Sequence, residues 1–356
     1  MLSLRALNRA TLARQHLLRR ADLSAEALIE HLVGLQAQAP HAPYFGFWCR
    51  LKDFRAAELS QLLTERKVVR IAAMRGTVHL LSARDCLELR PITQVVFDRA
   101  VNLPNVDLAA LAKAGRDLVE EKPRTNKEIG ELLAPLWPDH PPESLSMAIR
   151  DSLPLVQVPP RGLWGSSGQT RTTTAEHWLG RPLASAPSVR AMVLRYLNAF
   201  GPATVADAQK WSGVMGLREV FAQLDLRTFR DDQGRELFDL PDAPRPPEDT
   251  PAPVRLLAPF DNLLLSHADR TRVLSDEHRK IVITQNGLVS GTVLVDGFVR
   301  GAWKFDQARD TAAITVRPFV RFTKKVSGAV EAEAHDLLAA AAPTATPTVR
   351  FAQAGA

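Results

Sequence analysis

Apolar positions along the chain recur at helical spacing in short stretches, and β-rich ribbons separate these stretches. Residues 24–34 (SAEALIEHLVG) predict a helix with Ser24 as its N-cap and Gly34 near its end. Residues 56–66 predict another helix, and KVVRIAAMRGTVHLLS predicts a β-ribbon that a further capped helix, SARDCLELRP, follows. Helices followed by a ribbon within one unit are the order of a winged helix.

The same order of elements returns twice. TNKEIGELLAPLWP and PPESLSMAIRD predict two short helices, and a ribbon rich in Gly, Thr and Arg follows them. SVRAMVLRYLNAFGPATVADAQKWSG predicts two more helices, with Thr204 as an N-cap, before a hairpin that turns at Gln233-Gly234. We therefore expect three tandem winged helices, at residues 1–105, 106–184 and 185–250.

The C-terminal part of the chain has a different pattern. Residues 241–253 are rich in proline, show no packing periodicity and are typical of a linker. Beyond them, KIVITQNGLVSGTVLVDGFVRGAWKF alternates apolar residues around Asn-Gly and Asp-Gly, which predicts a β-meander. EAEAHDLLAAAA predicts a helix, after which we expect the tail to fray. The predicted fold class is α+β, with a β-rich C-terminal region over residues 251–356.

The net charge of +6 comes entirely from the first hundred residues. They hold 15 Lys and Arg against 9 Asp and Glu, whereas the remaining 256 residues hold 30 of each kind. A local basic surplus is typical of a surface that binds a polyanion, although solvated basic faces are common too. The Arg-rich opening before Asp22 has the composition of a transit peptide, but its leucines follow a helical stripe, so we expect a first helix.

Composition also argues against several classes of protein. No apolar run approaches the roughly 20 residues of a membrane helix, so we expect no membrane contact. The two cysteines, Cys49 and Cys86, leave no disulfide framework and favour a reducing cytoplasm. Nine scattered histidines and the lack of HExxH, CxxC and P-loop motifs lead us to expect no metal and no cofactor.

Two carboxamides stand one residue apart in the segment GLQAQAPHAP, at Gln36 and Gln38. On a helix these side chains would face apart, but in an extended segment they share a face. Gly34 weakens the preceding helix and Pro40 disfavours helical geometry just before it, so we expect an extended segment. Two carboxamides can orient a water through their oxygens. On residue types alone, polar loop residues that satisfy backbone groups remain the alternative.

The winged-helix DNA glycosylases of the azinomycin-resistance type (AlkZ-like) resemble this chain in LNRATLARQHLL, GLQAQAPHAPYFGFWCRL and RGTVHLLSARD. They resemble it again, in the same order, in LWGSSGQTRTTTAEHWLG, FGPATVADAQKWSG and LLAPFDNLLLSHADRTRVL, so the resemblance covers essentially the whole chain. It implies that Gln36 and Gln38 are catalytic and that the winged helices form a C-shaped DNA cradle. It also implies N7-alkylated purines as substrates, including bulky adducts and interstrand crosslinks.

The chemistry of such substrates fits a pair of glutamines. N7-alkylation gives guanine a positive charge, so the base can leave without protonation by a general acid. The transition state is a sugar oxocarbenium ion, and the attacking water needs positioning more than deprotonation. A related branch of the family has Asp at the second position, so Gln38 favours the antibiotic-resistance branch. We expect a monofunctional DNA glycosylase with a role in self-resistance or DNA repair.

One strand of the first ribbon contains further candidates for binding DNA or substrate. In MRGTVHL, strand alternation places Arg75, Thr77 and His79 on one face. This face is either a wing that meets DNA, with Arg75 on a phosphate, or a solvated strand face with a structural His79. His41 follows the glutamines and is expected either to touch the lesion or to cap the loop.

A later segment, PFDNLLLSHADRTR, supplies the remaining candidates. Asn262 is a candidate substrate contact, and Arg270 and Arg272 are candidate phosphate contacts, because most protein–DNA hydrogen bonds go to the backbone. We expect Asp261 to be the structural partner of an arginine rather than a catalytic acid.

Two other classes of function remain open: a non-enzymatic winged-helix DNA-binding protein such as a transcription regulator, and a protein-interaction scaffold. A regulator would bind an operator and release no base, whereas a scaffold would show no salt-dependent DNA affinity. The expected partner is double-stranded DNA that carries alkylated purines. We expect no obligate protein partner, a monomer, and a cytoplasmic location at the nucleoid.

Overall fold

The structure is a computed structural model that describes residues 1–101 and 103–353. Its N-terminal part contains, in order, α1 (Leu4–Arg14), α2 (Ala25–His31), β1 (Leu35–Gln36), α3 (Ala42–Trp48), α4 (Ala56–Thr64), β2 (Val68–Ala72), β3 (Val78–Ser82) and α5 (Ala83–Asp98). The side chains of Ser24 and Ser82 cap α2 and α5, as the sequence predicted. Helix α3 was not predicted; Pro43 lies in its first turn and its aromatic residues are buried.

The middle of the chain is mainly helical. It contains α6 (Leu108–Glu121), α7 (Asn126–Leu133), α8 (Pro142–Ser152), β4 (Leu155–Gln157), β5 (Thr172–Thr174), α9 (Ala175–Leu179), α10 (Val189–Phe200), α11 (Val205–Ser212), α12 (Arg218–Ala222), β6 (Arg227–Arg230) and β7 (Glu236–Asp239). The Thr204 cap of α11 and the hairpin that turns at Gln233-Gly234 are confirmed.

The C-terminal region forms a second five-stranded sheet. It contains β8 (Arg255–Leu257), α13 (Asp276–Val282), β9 (Gly291–Val295), β10 (Phe298–Gln307), β11 (Thr311–Pro318), α14 (Lys324–Ala341) and β12 (Thr346–Phe351). The Asp-Gly hairpin is confirmed between β9 and β10, but the predicted meander starts too early, because KIV belongs to α13. The prediction of a fraying tail is wrong: β12 is rich in strand-forming Thr, Val and Phe and pairs parallel to β11. Over the described ranges, no helix is long and apolar enough to cross a membrane.

A first five-stranded sheet contains strands from both of the first two predicted winged-helix units. Its order is β1-β3-β2-β4-β5, so β4 and β5 extend the sheet beside β2. Neighbouring strands in it are antiparallel. The two ribbons are therefore continuous, and the glutamine segment forms one edge of the sheet.

Two cores hold this sheet from opposite faces. On one face, α2, α3 and α4 pack with the C-terminal sheet and α14, and Phe45 meets Trp303 edge-to-face with 5.2 Å between ring centroids. On the other face, residues of β2 and β3 pack against α10 and α11, where Tyr196, Phe200 and Trp211 form an aromatic group. The glutamine segment thus lies where the N-terminal and C-terminal regions meet.

The proline-rich linker is bound along α1 through its backbone carbonyls. Arg9 Nε donates to the carbonyl of Thr250 at 2.6 Å, and Arg14 Nε donates to that of Pro244 at 3.3 Å. Arg14 also forms a buried ion pair with Asp239 at 2.7 Å. Arginines of α1 thus bind the linker through its main chain.

Candidate active site

The glutamine segment leaves α2 through a glycine and becomes an edge strand. Gly34 has φ +89°, and a Cβ at this position would lie 2.4 Å from Leu81 Cδ2, so a larger residue would be both strained and blocked. Strand β1 then pairs with β3, and Gln36 lies opposite His79. The extended conformation expected for this segment is confirmed at Leu35–Gln36, whereas Gln38 lies in a bend just beyond the strand.

A single asparagine occupies the open edge of β1. Asn262 Oδ1 accepts a hydrogen bond from the backbone N–H of Gln36 at 3.1 Å, and its Nδ2 donates to the carbonyl of Gly34 at 2.8 Å. In an antiparallel ladder, alternate residues point their backbone N–H and C=O groups away from the partner strand. On the outer side of β1, the side chain of Asn262 therefore binds the groups that a further strand would otherwise pair with. Only 4% of Asn262 is exposed, and both ends of its carboxamide bind the backbone of the glutamine segment. The residue positions the backbone of Gln36.

The carboxamide of Gln36 is buried and bound to Arg75. Arg75 Nη2 lies 2.8 Å from Gln36 Oε1 and 3.3 Å from His79 Nε2, and Nη1 donates to the carbonyl of Trp211 at 2.5 Å. A guanidinium has only donors, so the Gln36 atom that faces it must be the carbonyl oxygen. In place of the expected phosphate contact, these N–H groups of Arg75 bind the protein and orient Gln36.

Arg75 lies in a turn and not on the predicted strand. Met74–Gly76 form one turn of 3₁₀ helix between β2 and β3, in which Arg75 has φ +56°. The hydroxyl of Thr77 donates to the carbonyl of Met74 at 3.1 Å and closes this turn. The predicted alternation is therefore wrong at Arg75, because the chain reverses there and returns the guanidinium to His79. Thr77 stabilises the turn and is partly exposed.

His79 is a neutral hydrogen-bond acceptor. Its Nδ1 lies 2.8 Å from the carbonyl of Thr77, which requires the proton on Nδ1 and leaves the Nε2 lone pair for Arg75. Burial, followed by the charge of Arg75, lowers the pKa of His79 to about 3. Burial, followed by the charge of Arg270, lowers the pKa of Arg75 to about 10. At neutral pH His79 therefore stays neutral, and a positive charge remains beside Gln36.

Gln38 is exposed at the point where the ladder between β1 and β3 opens. The pairing register places Ala37 opposite Val78, and Ala37 N donates to Val78 O at 2.7 Å. Val78 N does not return this bond; it donates to Gln38 Oε1 at 3.3 Å. A backbone N–H can only donate, so the Gln38 oxygen faces it. Each glutamine oxygen thus accepts one protein hydrogen bond shown here and has a second lone pair.

Arg70 is the residue beside the glutamines that sequence reasoning missed. Its guanidinium donates to the carbonyls of Ala37 at 3.0 Å and Pro40 at 3.3 Å, and to Gln157 Oε1 at 3.1 Å. Arg70 is 2% exposed, and burial followed by the charge of Arg161 lowers its pKa to about 10. A signal was present in VVRIA, where one charged residue interrupts an otherwise apolar strand.

His41 begins α3 and contacts the loop between β4 and β5. Its Nε2 lies 3.2 Å from the carbonyl of Leu163, and its ring centroid lies 5.3 Å from that of Trp164. This geometry favours the loop-holding interpretation of His41 over direct contact with a lesion. The contact fastens the loop to the segment that follows Gln38.

The two arginines of HADRTR have different environments. Arg272 is 5% exposed and donates to the carbonyl of Pro202 at 2.9 Å and to Thr11 Oγ1 at 3.3 Å. In place of a phosphate, its guanidinium binds buried acceptors of α1 and of the turn before α11 in this structure. Arg270 is half-buried, and burial followed by the charge of Arg279 lowers its pKa. Its charge also acts on Arg75, so Arg270 keeps its candidacy as a phosphate contact beside the site.

The interior beside Gln36 is filled. A cavity of about 10 Å³ is lined by Gln36, Asn262, Arg50 and Asp261, which is near the minimum space for one water. Arg50 and Asp261 form a buried ion pair at 2.7 Å, and this confirms Asp261 as the structural partner of an arginine. This space is too small for a purine, whereas the side chain of Gln38 is exposed.

A comparison with family models places this chain among the DNA glycosylases. The family model described as DNA glycosylase AlkZ-like matches residues 29–340, which is most of the chain. The chain therefore belongs to the AlkZ-like DNA glycosylase family, the family that its sequence segments resemble.

Two comparisons with proteins of Streptomyces sahachiroi agree with this assignment. A relative described as an interstrand DNA cross-link repair glycosylase is 27% identical, with 90% of this chain and 92% of the relative covered. The solved structure of the Streptomyces sahachiroi DNA glycosylase AlkZ matches with a TM-score of 0.77 at 23% identity, covering 99% of this chain and 100% of that chain. The structural match shows that the two chains share one mixed α+β fold over almost their whole length.

Proposed function

We propose that this protein is a monofunctional DNA glycosylase that hydrolyses the N-glycosidic bond of N7-alkylated purines. The observation that carries the proposal is the pair of oriented, uncharged carboxamides, Gln36 and Gln38, at the edge of the first sheet. Neither side chain titrates, and the neighbouring His79 has a pKa of about 3. Such a site can position a water without taking up a proton at neutral pH. This suits a leaving group that is already cationic.

In the proposed mechanism the substrate supplies the charge and the protein supplies the geometry. The alkylated guanine departs with the electrons of the glycosidic bond as a neutral base and leaves an oxocarbenium ion on the deoxyribose. Gln38 accepts a hydrogen bond from the attacking water through its second lone pair. The water oxygen bonds to C1′ and its proton passes to solvent. Correct placement of the water lowers the barrier without a strong base.

Gln36 has a different part in this mechanism, because Arg75 already binds its oxygen. Because Arg75 fixes the oxygen, the orientation of the amide nitrogen is fixed too, and this nitrogen can only donate. We assign Gln36 to donating a hydrogen bond to the target nucleotide or to the attacking water. The two glutamines thereby act as one donor and one acceptor.

We propose that three winged-helix units form a C-shaped cradle for duplex DNA. The support is charge: the first hundred residues carry the whole basic surplus, and Arg70 and Arg75 donate to neutral acceptors. Their positive charge is therefore left to attract phosphates, as is that of the half-buried Arg270. We propose that the protein works as a monomer at the nucleoid and needs no obligate protein partner.

The substrates that we propose include bulky adducts and interstrand crosslinks. Gln38 lies on an exposed surface, and the cavity beside Gln36 measures about 10 Å³, so no deep pocket limits the size of the adduct there. The relative named for interstrand DNA cross-link repair supports the same substrates. The biological role would be repair of alkylation damage or self-protection of a genotoxin producer.

The test of the proposed function is release of free base from DNA that contains N7-methylguanine or a bulky N7 adduct. Gln38→Ala should leave DNA affinity within a few-fold and lower the single-turnover excision rate by roughly 10²–10³. Gln36→Ala should act similarly, and the double variant should lose less than the product of the two, because the residues act as a unit.

Gln38→Asp sharpens this test. A carboxylate can act as a base and attracts the cationic purine, so excision should persist and acquire an acid limb in its pH profile. If the wild-type protein binds the damaged DNA and releases no base, it is a non-enzymatic DNA-binding protein. If both alanine variants excise at the wild-type rate, the two glutamines are polar loop residues and the catalytic assignment is wrong.

A further inference from the structure

The ladder between β1 and β3 lacks one backbone hydrogen bond, and the gap lies beside Gln38. In a hydrogen-bonded antiparallel pair, each residue donates to and accepts from its partner. Ala37 and Val78 form only half of this pair, through Ala37 N and Val78 O at 2.7 Å. The other two groups of the pair, Ala37 O and Val78 N, bind side chains instead.

Arg70 binds the first of these groups. Its Nη2 lies 3.0 Å from Ala37 O and 3.1 Å from Gln157 Oε1, and its Nη1 lies 3.3 Å from Pro40 O. A hydrogen bond from a charged donor is roughly twice as strong as one from a neutral donor. The guanidinium draws Ala37 O toward itself, and the N–H of Val78 donates to Gln38 Oε1 instead.

Strand β4 and the loop between β4 and β5 contact Arg70 from its other side. Gly162, in the loop between β4 and β5, has φ +97°, and a Cβ there would lie 2.6 Å from Arg70 Cδ. The loop backbone thus packs directly on the stem of this side chain, while Gln157 of β4 accepts from its guanidinium. Arg70 therefore links β4 and the loop that follows it to the glutamine segment.

We propose that Arg70 is a positioning residue for excision, which holds the ladder open so that Val78 N–H orients the Gln38 carboxamide. The proposal rests on the proposed function, since it gives Gln38 a catalytic part. Without Arg70, the Ala37 carbonyl pairs with Val78 N–H, the ladder closes by one bond, and the Gln38 side chain loses its fixed orientation.

Arg70→Met tests the proposal through excision. The variant should lower the single-turnover rate about 10²-fold, the scale of misplacing a reacting group, with DNA affinity within a few-fold. In a Gln38→Ala background, Arg70→Met should cost less than about three-fold more, because the group that Arg70 positions is gone. An equal loss in both backgrounds would mean that Arg70 acts on the fold in general and would overturn the proposal.

Arg90→Met is the matched control. Arg90 is 1% exposed, donates to Gln94 Oε1 at 2.6 Å, and has a pKa lowered to about 10 by burial. It resembles Arg70 in burial and charge but lies on α5 with no contact to the glutamine segment. Arg90→Met should keep the single-turnover excision rate within about two-fold of wild type, because Arg90 positions no reacting group.

Amide hydrogen exchange at Val78 gives a readout that does not depend on excision. Gln38→Ala removes the acceptor of Val78 N–H, so this amide should exchange faster than in wild type. In the double variant Arg70→Met/Gln38→Ala the ladder closes, and exchange at Val78 should slow again. Fast exchange in the double variant would overturn the proposal.

The two ideas fail in different ways. If Gln38→Ala excises at the wild-type rate, the proposed function loses Gln38, and exchange at Val78 still decides whether Arg70 holds the ladder open. If Arg70→Met does not fold, Arg70→Lys replaces it, because an ammonium reaches one of the three acceptors but lacks the planar fork. Arg70→Lys should lower the excision rate about 10-fold, which is a smaller loss than the one expected for Arg70→Met. A wild-type rate would contradict the proposal.

Discussion

Buried arginines in two regions of this protein bind different partners. At the seam between α3 and the C-terminal region, Arg50 forms a bidentate ion pair with Asp261, with N–O distances of 2.7 and 2.8 Å. Around the glutamine segment, Arg70 and Arg75 donate to carbonyl and amide oxygens instead. Arg50 and Arg70 are 1% and 2% exposed, so burial alone does not distinguish the two kinds of environment.

The partners decide what each positive charge can do. For Arg50, burial lowers the pKa but the carboxylate of Asp261 more than offsets this, so the pKa is raised. Arg70 and Arg75 meet burial and other arginines, and their pKa values fall to about 10. The charge of Arg50 is neutralised inside the fold, whereas that of the other two remains available to a polyanion.

The largest effect should come from breaking the paired region. Asp261→Asn leaves the Arg50 guanidinium buried without its counter-ion, which should lower the free energy of unfolding by about 3–5 kcal/mol. Denaturant unfolding measures this change. Asp117→Asn is the control, because its pair with Lys113 is exposed and should contribute below about 1 kcal/mol. Equal losses in the two variants would contradict the distinction between the regions.

Arg75→Met probes the region without carboxylates. The variant leaves the Gln36 oxygen without the donor that orients it, so single-turnover excision should fall by roughly 10²-fold. Because the Arg75 hydrogen bonds described here are internal to the protein, the salt dependence of DNA binding should change by less than one phosphate contact. A salt slope that falls by about one unit, with the excision rate unchanged, would instead make Arg75 a phosphate contact.

The pH dependence separates stability from excision. His79 has a folded-state pKa of about 3 against 6.5 ordinarily, so the unfolded chain binds its proton first as the pH falls. Its contribution to stability is complete above pH 6.5 and falls by roughly 1.4 kcal/mol per pH unit below it. Excision should stay nearly flat from about pH 6 to 8, because neither glutamine titrates. A sigmoid near pH 6.5 in the excision rate would show that a histidine takes part.

The smallest effect should distinguish Arg270 from Arg272. Arg270→Ala should flatten the salt dependence of DNA binding by about one unit, the value for one phosphate contact. Arg272→Ala should leave that slope unchanged and lower the unfolding free energy, because its guanidinium binds Pro202 and Thr11 inside the fold. A flattened slope in the Arg272 variant would place that side chain at the DNA.

The local part of this structure could be predicted from the sequence. Ser24, Ser82 and Thr204 cap their helices as expected, because a cap depends on residues within one turn. The exit from α2 at Gly34 and the strand at Leu35–Gln36 followed for the same reason, whereas the bend at Gln38 was not predicted. What local pattern missed was α3, whose run of aromatic residues has no polar face because both of its sides are buried.

Contacts between distant segments could not be predicted in this way. Asn262 and Gln36 are 226 positions apart, so no sequence spacing predicts that the Asn262 side chain binds the backbone of the Gln36 strand. The sequence predicts Arg272 as an exposed basic residue after a turn. In the structure it is buried and binds acceptors from distant parts of the chain. Arg70 was missed because its role depends on β4 lying beside β2, a pairing between segments that the sequence assigned to separate units.

The continuity of the first sheet restricts how this protein can be divided or recombined with a relative. A fragment that stops near residue 105 would lose β4, and the backbone groups of Arg70 and Ile71 that pair with it would form an open edge. Open edges recruit other chains, so the fragment should aggregate rather than fold as a module. A chimera joined between β3 and β4 would combine Arg70 from one parent with the loop between β4 and β5 from the other. Only a junction beyond β5 transfers the glutamine segment together with the strands that support it.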